Sequence, residues 1–303
     1  MALRTAREVQ GFRFRRLDKP EERRAVEEVH AVAFGPAGEP AVPASVQRTL
    51  QDHGGLVLGA FADIYLAGFA VGLLGWDGTS LYHYAVATAV RPEYQNHHVG
   101  FRLKAFQRDE VLAQGLPRIR GAFDPLESRT AFLLVRRLGA RPDRFLPHYF
   151  GRRSDAPDAG DESDRVGYAW ELAEPRTVER LAGGLPAPEE DRDRWARSVA
   201  IVETEVGDSG IRLPTAVVEP SAAHVHLEIP FDLKLVLEHE PASVRRWRHA
   251  VRDAFRAAFD IGYRVVDFAV VTAEHERRSA YFLVKDPSPT PTAGGRTEVS
   301  TPR

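Results

Sequence analysis

The chain of 303 residues is long enough for one large domain or two ordinary ones, and its 43% hydrophobic content can bury a real core. Acidic and basic residues nearly cancel, 43 against 41, which argues against a nucleic-acid or anionic-membrane surface as the main partner, since both demand a clustered positive excess, and leaves a small molecule as the expected partner. With no cysteine, disulfides, thiolate zinc sites and a cysteine nucleophile are excluded together. No run approaches the roughly 18 apolar residues of a membrane span, and the opening MALRTAREVQ lacks the apolar core of a signal peptide, so the cytoplasm is the expected location.

In chain order, Phe12, Phe14 and Leu17 belong to an opening strand, and 20-PEERRAVEEVHAVAF-34 reads as a helix with Pro at its start and Val26, Val29 and Val32 or Ala33 on one face. A short helix follows near residues 43–54. The stretches 56-LVLGAFAD-63 and 65-YLAGFAVGLLGW-76 form a hairpin, and 80-SLYHYAVATAV-90 adds a third strand after the turn at Asp77 and Gly78, which predicts an antiparallel meander. The polar run 95-QNHHVG-100 then opens a helix that continues to about residue 115. Next come a strand at 118-RIRGAFDPL-126 and a helix at 128-SRTAFLLVRRLG-139, with Ala131, Val135 and Leu138 on one face and Gly139 as the stop. Strand, helix, strand, helix implies a crossover, hence a parallel pair within an otherwise antiparallel sheet. Strands at 144-RFLPHYFG-151 and 166-VGYAWELA-173 flank an acidic segment, 152–164, expected to be a mobile surface loop.

Residues 175–222 read as helix-like and loop-like connecting pieces. A second unit spans 223–286: a strand at 224-HVHLEIP-230, a helix at 241–260, and strands at 263-YRVVDFAVV-271 and 279-SAYFLVK-285. In that helix Val244, Trp247, Val251, Phe255 and Ala258 form an apolar stripe, and Arg245, Arg248, Arg252 and Arg256 read as a solvated row. The remaining 287–303 lacks apolar periodicity and is expected to be disordered.

The start of the helix behind the run 95-QNHHVG-100 carries the first chemistry. A helix N-terminus presents free N–H groups and about half a unit of positive charge, so it holds phosphate well where the backbone can come close. In 90-VRPEYQNHHVG-100, Gln95 and Gly100 resemble the pyrophosphate-binding signature of the GNAT superfamily of acyl-CoA-dependent N-acyltransferases, with His98 standing where the first glycine belongs. The order of elements from about residue 11 to 174 is also similar to that superfamily. The resemblance implies a mixed α/β sheet fold over residues 1–174, with the C-terminal unit as a partial second copy or a packing module. It also implies cofactor contacts from Ala89, Val90, Gln95, Asn96, His97, His98, Val99, Gly100 and Phe101. The acyl donor would be acetyl-CoA or succinyl-CoA, and no metal is expected. The pieces 229-IPFD-232, 247-WR-248 and 262-GY-263 resemble a bacterial branch of the superfamily with a C-terminal extension, associated with N-acylation of amino acids.

The resemblance further implies that the strand ending at Val90 splays from the strand ending at Asp124, with the pantetheine arm in the gap. Where relatives often place a Glu or His base, this chain has Tyr84, a poor base at neutral pH. His83 is adjacent but faces the other side of the sheet. The Tyr that often reprotonates the leaving thiolate falls on Val135, and Tyr149, preceded by His148, is the nearest substitute. Asp124 and Arg129 face the expected acyl site, Arg129 as a partner for a succinyl carboxylate. His97 and His98 fit CoA phosphates better than a metal, and His224, His226 and His239 read as strand and surface histidines.

The leading expectation is thus an N-acyltransferase acting on a small-molecule amine, an amino acid first, with Tyr84, Tyr149 and His83 as candidate catalytic groups and His148 near the acceptor. Two alternatives stand beside it: a protein side chain or N-terminus as acceptor, and a degenerate module that binds acyl-CoA or a protein without catalysis. If the C-terminal extension serves as a dimerisation module, the chain forms a homodimer.

Overall fold

A computed structural model of the chain describes residues 7–9, 11–35, 41–151, 163–273 and 275–286. Its first half is a mixed sheet of eight strands, β1 (Arg7–Val9), β2 (Phe12–Arg16), β3 (Leu56–Ala62), β4 (Tyr65–Trp76), β5 (Leu81–Val90), β6 (Arg118–Phe123), β7 (Arg141–Leu146) and β8 (Arg165–Glu171), in the spatial order β1-β2-β3-β4-β5-β6-β8-β7. Every neighbouring pair is antiparallel except β5 with β6, which the helix α3 (Val99–Ala113) joins by a crossover. The meander, the crossover and the single parallel pair are those expected from the sequence.

Helices α1 (Pro20–Phe34) and α2 (Ala44–Asp52) cover one face of β2–β4, and α3 covers the other. At the start of α1, Glu22 accepts the backbone N–H groups of Asp18 and Lys19 at 3.1 and 3.2 Å, giving orphan donors at the helix entrance a partner. Val26 and Val29 are buried, whereas Val32 is 51% exposed, so Ala33 and not Val32 continues the packed stripe. After α4 (Ser128–Ala131) the coil loosens into a π-helix over Phe132–Arg137, and Gly139 ends it at φ +77°, a left-handed conformation glycine adopts without strain.

The connecting stretch contains more structure than expected: α5 (Pro175–Leu181), α6 (Pro188–Arg197), and the strands β9 (Val199–Ala200), β10 (Val202–Val206) and β11 (Arg212–Val217). The second unit has β12 (His224–Ile229), an unexpected short α7 (Leu233–His239), α8 (Pro241–Asp260), β13 (Tyr263–Ala273) and β14 (Glu276–Lys285). These make a four-stranded sheet ordered β13-β14-β12-β9. The apolar stripe of α8 is buried as read, and Phe255 stacks on Phe145 of β7 with ring centroids 5.5 Å apart. One hydrophobic cluster therefore runs from Phe14 through Trp170 to Trp247 and Leu283, and buries both units against each other. Burying each such aromatic is worth on the order of 2–3 kcal/mol. Asp267 of β13 anchors the connector, accepting Arg136, Arg180 and Arg194 at 2.9–3.0 Å and Arg176 at 3.4 Å, and these guanidinium partners offset the cost of burying the carboxylate.

The acidic segment 152–162 and the tail 287–303, expected to be mobile and disordered, lie outside the described residues. The end of that acidic segment is a correction: Ser163 and Asp164 are buried.

Candidate active site

The parallel pairing of β5 with β6 involves only His83 with Ile119, Tyr84 with Arg120 and Ala85 with Gly121. Beyond Ala85 the strands part. On β5 the cause is a bulge: Ala85 pairs Gly72 and Ala87 pairs Val71, which leaves Val86 as an extra residue that bends the strand. From there β5 stays with β4 as far as Val90, while β6 stays with β8 as far as Phe123. A wedge opens between them, and α3 starts at its wide end.

At that end, Pro92–Tyr94 form a 3-10 turn, and His98 precedes the first turn of α3 at φ +60°, ψ +14°. Asn96 is also left-handed, at φ +65°. The chain thus adopts at His98 a conformation natural to glycine while carrying a side chain, which costs on the order of 1 kcal/mol. The first intrahelical bond runs from Arg102 N–H to His98 carbonyl, so the N–H groups of Val99, Gly100 and Phe101 have no partner inside the helix, and no side chain caps it among the described residues. A Cβ on Gly100 would meet Val90 and Leu133 no closer than 3.7 Å, so an alanine would fit there as well. Gln95 bridges the mouth of the wedge: its amide donates to the Val90 carbonyl at 3.0 Å, and its oxygen accepts from Arg129 at 3.3 Å. His97 holds the Gln95 carbonyl at 2.8 Å and, like Asn96 and His98, is exposed. Of the other cradle candidates, Val99 and Ala89 are buried in the core, Val90 lies against the α3 start, and Phe101 is half-buried under the Arg137 guanidinium at 4.6 Å. The turn fits a pyrophosphate through its free amides, one close-approach residue and the flanking polar side chains of Gln95, Asn96, His97, His98 and Arg129.

Just before the splay, where β5 is still paired with β6, the two tyrosines meet. The hydroxyls of Tyr84 on β5 and Tyr149 are 3.2 Å apart. Burial, and then the Tyr149 hydrogen bond, push the Tyr84 phenol above its usual value, so Tyr84 stays protonated at any working pH. Tyr149 and His148 do not lie on a strand, contrary to the expectation: β7 ends at Leu146, and the chain turns at 147–150 with His148 at φ +50°. Pro147, which cannot donate to a sheet ladder, accounts for the early end. The turn is held from behind. The N–H of His148 donates to Asp164 at 3.0 Å, that of Tyr149 to the Ser163 carbonyl at 3.1 Å, and that of Phe150 to the Ser163 hydroxyl at 2.8 Å.

His83 departs from the site. It is fully buried on the α3 side of the sheet, with Nε2 3.0 Å from the Gln107 amide, and burial followed by the Lys104 charge lowers its pKa to about 3. A Cβ at Gly72 would lie 2.1 Å from that nitrogen, which explains why the opposing strand carries glycine there. The side chain is a core group, not a proton acceptor for substrate. Asp124 is likewise committed: the guanidinium of Arg248 binds both its oxygens, at 2.8 and 2.7 Å, and the N–H of Leu126 donates to it at 2.9 Å. Burial alone would raise this carboxyl, but Arg248 outweighs burial and it titrates below the ordinary carboxylate range. Its role is an anchor at the end of β6. Arg129 lies at the cradle beside Gln95, and His148 lines a shallow groove with Arg144, Phe145 and Arg256.

Arg248 and Arg252 correct the expectation of a solvated arginine row. Both are largely covered, and Arg252 grips Asp164 with Nε and Nη2 at 2.8 and 3.0 Å. Among the described residues no group of three or more His, Asp or Glu is arranged to hold a metal ion, and His226 instead meets the Ser198 hydroxyl at 2.8 Å.

No family model and no curated protein matches the sequence. Solved structures similar to this chain include acetyltransferases. The ribosomal-protein-S18-alanine N-acetyltransferase from Escherichia coli is 18% identical over 54% of this chain and 95% of its own, with a TM-score of 0.43. The ribosomal-protein-S5-alanine acetyltransferase from Vibrio fischeri is 16% identical over 56% and 98%, at 0.44. The protein yncA from Salmonella typhimurium, solved with its cofactor acetyl-CoA, is 19% identical over 55% and 96%, at 0.43.

Proposed function

We propose that this protein is an acyl-CoA-dependent N-acyltransferase that moves an acetyl or succinyl group to the amine of a small molecule, with an amino acid as the first acceptor to test. The observation that carries the reading is the wedge: two parallel strands released from each other after Ala85 and Gly121, with the uncapped start of α3 at the open end. The freed edge of β5 suits a pantetheine arm, whose amides would bond to it as an added strand does. The N–H groups of Val99, Gly100 and Phe101 suit the pyrophosphate, with Gln95, Arg129, His97 and His98 around it. Arg129 donates to Gln95 at the cradle, and we assign it to the phosphates rather than to a succinyl carboxylate.

In the transfer, the amine nitrogen attacks the thioester carbonyl, a C–N bond forms, the C–S bond breaks, and the thiolate leaves and takes a proton. Tyr84 and Tyr149 carry two phenolic protons between them. One lies in their mutual hydrogen bond, and the other remains for a third partner, so the pair acts as a donor to the leaving sulfur or to the carbonyl oxygen. With Tyr84 held protonated, the amine loses its proton to water, and holding acyl group and amine together supplies much of the acceleration.

One observation favours a second reading. His98 occupies a left-handed position otherwise natural to glycine, and a module that binds acyl-CoA without turnover would tolerate it. The deciding experiment is free-thiol release from acetyl-CoA and succinyl-CoA against a panel of amino acids, other small amines and peptides. This cysteine-free chain contributes no thiol of its own. Release that depends on one amine class supports the reading and identifies the acceptor; release with no member of the panel would move the binding module to first place.

A further inference from the structure

We propose that α8 of the second unit is a positioning element of the candidate site, with Arg252, acting through Asp164, setting the turn that brings Tyr149 to Tyr84. The kinetic part rests on the acyltransferase reading; the structural part does not.

The geometry is a relay of charged and backbone bonds. Arg248 and Arg252 stand one helical turn apart on α8, and each binds an aspartate of the first unit through two parallel N–H···O bonds, the geometry in which guanidinium fixes orientation as well as distance. Both aspartates lie on the β6 side of the wedge, where the end of β6 pairs with the start of β8. Asp124 follows the last residue of β6, and Asp164 precedes the first residue of β8. Held by Arg252, Asp164 also accepts the N–H of His148 at Oδ1, and the neighbouring Ser163 takes the N–H groups of Tyr149 and Phe150. Three successive amides of the turn are therefore tied to a dipeptide that α8 holds in place. The turn needs that support, because His148 sits in the left-handed region and Tyr149 is 41% exposed. Without it, little fixes the phenol within hydrogen-bond reach of Tyr84. Arg248 holds the adjoining end of β6 in the same way, joined there by Tyr281, whose hydroxyl donates to the Pro125 carbonyl at 2.9 Å.

The test uses the full chain with Arg252→Gln, Arg252→Lys, Asp164→Asn and, as an exposed control on the same helix, Arg245→Gln. Amide hydrogen exchange of the 145–151 segment reads the structural part without any substrate. We expect exchange there to speed up at least about tenfold in Arg252→Gln and Asp164→Asn. Arg252→Lys should be intermediate, and β12–β14 and the Arg245→Gln control unchanged. In thiol-release kinetics, kcat should fall toward the level of Tyr149→Phe while KM for acyl-CoA holds, and Arg252→Gln added to Tyr149→Phe should cost little more. Unchanged protection in the turn of folded Arg252→Gln and Asp164→Asn would overturn the proposal, as would a loosened turn with full kcat. If Arg252→Gln does not fold, the near-isosteric Asp164→Asn carries the same comparison. Absence of any turnover in the parent protein would sink the acyltransferase reading alone, and the exchange result would still decide whether α8 sets the turn.

Discussion

The phenolic oxygens of Tyr84 and Tyr149 lie 3.2 Å apart although 65 positions separate the residues in the chain. If the pair donates to the departing sulfur, Tyr149→Phe should lower kcat about 10- to 100-fold with acyl-CoA affinity unchanged, since removing a proton donor in the transition state does not touch the phosphate cradle. Tyr84→Phe should do the same, and the double variant should lose little beyond the worse single one. Steady-state kinetics beside a binding titration checks all three. Additive losses would mean that the two hydroxyls work apart.

The turn at His98 makes a separable claim about backbone strain. At φ +60° a β-branched residue is far worse placed than His, whereas glycine is at ease. His98→Val should therefore lower stability by about 1–2 kcal/mol, and His98→Gly should leave it equal or slightly higher. Urea denaturation midpoints of the two variants decide it.

The grip of α8 on the end of β6 has a predictable strength. Arg248 and Asp124 are mostly covered, and removing one member leaves the other charge without its partner. Arg248→Ala should cost about 3 kcal/mol, and replacing both residues by apolar ones of similar size should cost less than that single change. Chemical denaturation of the single and double variants provides the comparison.

Lys104 gives the fold a pH signature. Its ammonium is buried against Gln107 at 2.6 Å, and burial lowers its pKa from 10.5 to about 7. Between those values the unfolded chain holds a proton that the folded chain lacks, so stability rises with pH across that window and is flat with respect to this group below it. The slope approaches about 1.4 kcal/mol per pH unit, the limit for one linked proton. His83, lowered from 6.5 to about 3, acts in the lower window: its contribution is present above 6.5 and is lost as pH falls toward 3. Denaturation midpoints from pH 7.5 to 9.5 should climb in the parent protein and stay flatter in Lys104→Met.

Much of this molecule is legible residue by residue, and the departures share a cause. The strands from Leu56 to Val90, the α3 start and the buried stripe of α8 follow from periodicities and turn residues that sit next to each other in sequence. The splay after Ala85 is expected only through the resemblance, because its physical origin, the extra residue Val86, leaves no local mark in a run of small apolar side chains. The opposite face of His83 follows from the two-residue period of a strand, yet its complete burial depends on Gly72 of the neighbouring strand. Arg248 and Arg252 mislead for the same reason. Their four-residue spacing suits a solvated face, and nothing near them announces Asp124 and Asp164, respectively 124 and 88 positions away. Tyr149 stands out in the sequence for its proximity to a missing residue, and its true support, Ser163 and Asp164, lies at the end of a segment that reads as loop.

The acyltransferase reading depends on the wedge and the α3 start holding acyl-CoA, and the decisive experiment is a calorimetric titration of the intact protein with acetyl-CoA and with CoA. Saturable one-site binding in the micromolar range, roughly 8 kcal/mol, is expected for both ligands. Gly100→Trp, which fills the approach to the free amides, should abolish that binding while the protein stays folded. Absence of saturable binding to either ligand, or binding that survives Gly100→Trp unchanged, would contradict the assignment.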